Sequence, residues 1–138
     1  MNKRIKDKIQ DIKIYLEQLS KIKPNTFEEY EKDFKTKAAC ERYFEKIAEA
    51  VLDLALLIIK EKNLQTPEEE NEAFEILEKE NIMNSNLTKK LKGMRGMRNI
   101  IAHQYSDVND ELIYTAISKE IEDDVKAFLE IIKKLNKK

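Results

Sequence analysis

Ile5, Ile9, Ile12, Leu16 and Leu19 recur at steps of three and four, an apolar stripe that predicts a helix from about Lys3 to Ser20. Pro24 ends it. Thr26, with Glu29 three residues on, is a capping-box pattern opening a second helix, predicted from Phe27 to Lys62. Its inner face reads Tyr30, Phe34, Ala38, Phe44, Ile47, Val51, Leu54, Ala55 and Ile58. Between Val51 and Ile59 only Asp53 interrupts the apolar run, so this helix has more than one packing partner. It is either the centre of a bundle or a surface shared with a second subunit. Thr66-Pro67-Glu68-Glu69 reads as the start of a short third helix to about Lys79, burying Ala73, Phe74 and Leu77. Asn84-Ser85-Asn86 breaks the chain before a fourth helix with Leu87, Leu91, Met94 and Ile101. A polar stretch from Ser106 to Asp110 precedes a last helix that buries Ile113, Ile117, Ile121, Val125, Phe128, Ile132 and Leu135. Strand-like alternation and internal repeats are absent. The expected fold is all-α, an antiparallel helical bundle of about five helices in a single domain spanning residues 1–138.

Composition supports this reading: the chain is 38% charged and 41% hydrophobic, with two Gly, two Pro and no Trp. Its formal net charge of −1 argues against a general nucleic-acid binder, so any RNA contact must use a local patch. Cys40 is the only cysteine, which excludes an intramolecular disulfide and reads as core packing. The longest apolar run, Leu54 to Ile59, is far short of a membrane span of about 20 residues. The N-terminus enters an amphipathic helix with no apolar leader, so a cytoplasmic protein without membrane contact is expected. Scattered His, Cys and carboxylates suggest neither a metal site nor a cofactor.

Charge changes the picture at one place. From Asn81 to Ser106 there is no Asp or Glu, in a chain with 27 acidic residues, yet Lys89, Lys90, Lys92, Arg95 and Arg98 all fall there. That segment also holds the only histidine, His103, followed by Tyr105. An imidazole, a permanent cation and a cleared field suit a phosphodiester-cleaving site. On a helix Asn99 and His103 are neighbours at i and i+4, so Asn99 could orient the ring. Arg98 and His103 lie about 140° apart around the axis. Singly, each has a plainer reading: a dipole partner for His103, a solvated charge for Arg98, packing for Tyr105. Gly93 and Gly96, the only glycines, sit inside the same predicted helix, at about 1 kcal/mol each relative to Ala. They mark either a close approach of backbone or ligand, or a helix break.

The pattern Arg98-Asn99-x-x-x-His103-x-Tyr105 resembles the R-x(4–6)-H signature of HEPN domains, and the Tyr is similar to the HepT toxin branch. Arg42, then Ile47 to Ala55, resembles that family's long helix, and Leu91 to Asn99 follows in the family's order. The likeness covers about residues 5–130. It implies a homodimeric helical toxin of a type VII-like toxin–antitoxin system, with the motifs of two subunits facing one cleft. It implies metal-independent endoribonuclease action on tRNA or mRNA, with Arg98 and His103 catalytic and Asn99 supporting. Lys89, Lys90, Lys92 and Arg95 would steer RNA. It also implies an MntA-like minimal nucleotidyltransferase antitoxin that attaches AMP to Tyr105. A non-catalytic helical partner that presents substrate to a nucleotidyltransferase is the alternative. Glu45 stands where relatives carry Gln, and neither Glu45 nor Glu49 receives a role.

Overall fold

The computed structural model describes residues 2–103 and 109–135. Within them the chain forms helices Lys3–Ile22 (α1), Phe27–Lys32 (α2), Phe34–Glu61 (α3), Glu72–Lys79 (α4), Ser85–His103 (α5), Asp110–Thr115 (α6) and Ile121–Leu135 (α7). A π-helical turn, Ala116–Glu120, joins α6 to α7. No strand occurs among the described residues.

All five stripe residues of α1 are buried, and the helix packs along α3. The Asn2 side chain caps it by accepting the Ile5 N–H at 2.8 Å. α3 is the bundle's centre: α1, α2, α4 and α5 all pack on it. Its wide apolar face is therefore covered largely from within the chain, with Val51, Leu52, Leu54, Ala55, Ile58 and Ile59 all buried. Asp53, the one interruption, faces outward and pairs with Lys8 at 3.5 Å.

The second predicted helix is in fact two. Asp33 breaks it: its Oδ1 accepts the N–H groups of Lys35 and Thr36, both at 3.2 Å, and its Oδ2 accepts the Thr36 hydroxyl at 2.8 Å. That N-cap restarts the helix in a new phase. Tyr30 before the break is fully buried, whereas Phe34 is 75% exposed and Ala38 is also at the surface, contrary to the expectation that all three face the core. The Thr36 hydroxyl and N–H hold the Asp33 carboxyl below its ordinary value. A lowered folded value means stabilisation that is present above the unfolded carboxyl's pKa and lost as pH falls through the folded one. Asp33→Asn should therefore flatten the acid side of the melting-temperature profile, measured by circular dichroism from neutral pH down through the carboxylate range.

α3 and α4 end alike. Asn63 and Asn81 adopt left-handed backbone, with φ of 54° and 61°. The following N–H reaches back to the helix: Leu64 N to Ile59 O at 3.0 Å, and Ile82 N to Leu77 O at 2.9 Å. These are Schellman closures with Asn in place of Gly, each followed by an apolar residue packed on the core. α4 starts at Glu72, later than the Thr66-Pro67 signal predicts. Glu68 N–H donates to the Glu72 carboxylate at 3.2 Å, which ties the preceding segment to the first residue of α4, and Glu72 and Glu75 place negative charge in the first turn.

The π turn has a cause in the spacing of the core residues. Ile113, Ile117, Ile121 and Val125 are buried at successive steps of four. On an ideal α-helix each such step drifts by about 40°. A wider turn at Ala116–Glu120 absorbs that drift and keeps the stripe on the core. Asn109 caps α6 by accepting from Glu111 N–H at 3.0 Å and Leu112 N–H at 3.2 Å.

Candidate active site

α5 brings the motif residues to its C-terminal end. Asn84 caps its start, accepting the Leu87 N–H at 2.8 Å, and Leu87, Leu91, Met94 and Ile101 anchor it to the core. The helix runs unbroken through Gly93 and Gly96, so neither marks a break. Both are exposed, and a Cβ built on either meets nothing within 4 Å, so among the described residues no other element approaches them closely. Gly93 borders a cleft of about 260 Å³ between α5 and the π turn, beside Met97 and Ala116. Gly93→Ala and Gly96→Ala should each stabilise the isolated chain, by about 0.5–1 kcal/mol, read as a rise in denaturation midpoint.

Arg98 and His103 leave α5 on different sides. Arg98 turns inward and crosses to α3, where Nη2 donates to Glu49 Oε1; its Nη1 donates to Asn99 Oδ1 at 3.1 Å. Its side chain is only 23% exposed, and Nε is buried with no hydrogen-bond partner among the described residues. His103 is the last described residue of α5 and is exposed. The helical period puts the two about 140° apart. Asn99 offers its side-chain carbonyl oxygen to Arg98. Tyr105 lies outside the described residues.

The acid-free stretch is acid-free in sequence but not in space. Arg95 is 4% exposed and paired with Glu70, a structural pin between α5 and the segment before α4. It is not the exposed cation that the sequence suggests. Lys92 pairs with Glu75, and Lys90 lies 3.9 Å from Asp124. Burial pushes the Asp124 carboxyl upward in pKa, against the pull of Lys90. Among the described residues Lys89 is exposed and makes no ion pair. Four carboxylates from α3, α4, α7 and the segment before α4 thus answer four of the five cations.

Cys40 is fully buried, and burial raises its thiol to about 11, which fits packing rather than nucleophilic chemistry. No cluster of three or more His, Cys, Asp or Glu side chains with metal-holding geometry occurs among the described residues. No helix among them is long and apolar enough to cross a membrane.

Glu49 is the residue that sequence reasoning missed. It lies 49 positions from Arg98, and only the register between α3 and α5 brings the two together.

This all-helical fold is shared with solved HEPN toxins. A family model described as ribonuclease HepT-like matches residues 5–132, and the chain belongs to that family. It is 26% identical over 133 residues to the mRNA nuclease HepT of Shewanella oneidensis, covering 96% of this chain and 98% of that protein. It is 27% identical over 114 residues to the tRNA nuclease HepT of Aphanizomenon flos-aquae, covering 83% and 78%. Among solved structures, the tri-AMPylated Shewanella oneidensis HEPN toxin in complex with MNT antitoxin matches with a TM-score of 0.88 at 26% identity, over 96% of this chain and 98% of that one. A toxin–antitoxin crystal structure with AMP-PNP matches with the same TM-score at 25% identity, over 96% and 99%.

Proposed function

We propose that this protein is the toxin of a type VII-like toxin–antitoxin pair: a cytoplasmic, metal-independent endoribonuclease that acts as a homodimer on tRNA or mRNA. The observation that carries the reading is the placement of Arg98 and His103 on α5 of a HepT-like ribonuclease, one turned to α3 and the other exposed at the helix end. The family membership supports RNA as substrate, and the relatives named mRNA and tRNA nucleases support cleavage within a chain.

Cleavage without metal needs a base for the 2′-hydroxyl and an acid for the leaving 5′-oxygen. One imidazole does not serve both ends of an in-line displacement at once. In a twofold dimer one His103 takes the 2′-hydroxyl proton as that oxygen attacks phosphorus. The second His103, protonated, gives its proton to the departing 5′-oxygen. The P–O5′ bond breaks, leaving a 2′,3′-cyclic phosphate and a 5′-hydroxyl. Arg98 holds the non-bridging oxygens and stabilises the charge that builds on them. The 140° separation of Arg98 and His103 favours a site completed by a second copy. Lys89, Lys90 and Lys92 contribute weak phosphate contacts, because neighbouring carboxylates already engage two of them. A nucleotidyltransferase antitoxin that adds AMP to Tyr105 would set a bulky anion beside Arg98 and close the phosphate site. The relatives solved with an MNT antitoxin and as an AMPylated toxin support that assignment.

The test is the chemistry of the cut ends. Purified protein incubated with total RNA in excess EDTA should yield 2′,3′-cyclic phosphate and 5′-hydroxyl termini. Products with 3′-hydroxyl ends, or cleavage abolished by the chelator, would overturn the mechanism.

A further inference from the structure

Resting on the ribonuclease reading above, we propose that Glu49 is a positioning residue, which together with Asn99 clamps the Arg98 guanidinium for a phosphodiester oxygen. Arg98 is anchored through two different nitrogens: Nη2 donates to Glu49 on α3, and Nη1 donates to Asn99 Oδ1 at 3.1 Å. Two anchors on a rigid planar group set both its location and the direction of its plane. The anchors stand on two packed helices, so their spacing is held by the core rather than by a loop.

The burial pattern separates this pair from an ordinary surface salt bridge. The Arg98 side chain is 23% exposed and the Glu49 side chain 42%, so the cation sits below the carboxylate at the rim of the bundle. Among the described residues, Arg98 Nε is buried without a hydrogen-bond partner, so the group is held through its two Nη atoms. Arg95, one turn earlier and more deeply buried, has no such orphan among the described residues. Glu49 uses one guanidinium nitrogen and Asn99 another, and the remaining Nη hydrogens are left for an incoming phosphate. A phosphodiester arriving there brings a second negative charge near Glu49. The carboxylate therefore does little for ground-state affinity, and its contribution falls on the step in which geometry matters.

The experiment measures kcat and KM of the full-length protein on a defined single-stranded RNA, with folding checked by thermal melting. Glu49→Ala should lower kcat about tenfold or more, while KM changes by less than about threefold. Glu49→Gln, which keeps the acceptor oxygen, should recover most of that loss. Glu49→Asp, which keeps the charge but loses reach, should fall nearly as far as the alanine variant, and it decides the matter if Glu49→Ala does not fold. Unchanged or raised kcat in Glu49→Ala and Glu49→Asp would overturn the proposal. Arg98→Ala and His103→Ala, run beside them, separate the two levels. If those abolish cleavage while the Glu49 variants do not, only the positioning role fails. If those leave cleavage intact, the ribonuclease reading fails and the clamp with it.

Discussion

Replacing His103 by Ala should reduce RNA cleavage by about two to four orders of magnitude, the usual contribution of general acid–base catalysis. His103 is the only histidine in the chain, so no neighbouring imidazole can take over. It is exposed and lies outside the hydrophobic core, so the variant should remain folded, which thermal melting beside the wild type checks. Expression of the wild type should arrest growth, and expression of His103→Ala should not. Equal arrest by both would contradict a catalytic role.

Arg98→Ala should lower kcat by about two to three orders of magnitude, as expected when a charge-stabilising donor is removed from a reaction site. Its effect on stability should be small, at most about 1 kcal/mol, because the Glu49 carboxylate left behind is substantially exposed and water can replace the guanidinium. Arg98→Lys should recover little. An ammonium keeps the charge but cannot meet Glu49, Asn99 and a phosphate from one plane. Kinetics with melting curves alongside check both halves of this expectation. A lysine variant with near wild-type kcat would show that charge alone suffices.

The helical architecture was legible because α1, α5 and the last helical segment carry long stripes with clear steps. The break at Asp33 was not. Asp is an ordinary helix-surface residue by composition, and only its simultaneous bonds to Lys35, Thr36 N–H and Thr36 hydroxyl reveal a cap. Phe34 and Ala38 were misplaced for the same reason, since a restart changes the phase of everything after it. The π turn could have been inferred from the run of four-residue steps, a drift that an α-helix cannot keep on one face. At the site, sequence order revealed Arg98 and His103 on one helix but not their partners. The absence of acids between Asn81 and Ser106 suggested a cleared field, yet Glu49, Glu70, Glu75 and Asp124 arrive from elsewhere in the fold. Ion pairs between helices depend on register, which one-dimensional charge spacing does not carry. Arg95 shows the consequence: a cation in a basic run became a buried structural pin.

The central claim is that two copies of His103 act on one scissile bond. It is tested most directly by a heterodimer of wild-type and His103→Ala chains, isolated through two different affinity tags and assayed at once. A shared site predicts cleavage close to that of the His103→Ala homodimer, because either the base or the acid is missing from the single cleft. Retention of about half the wild-type rate would mean that each copy cleaves independently, and would contradict the account.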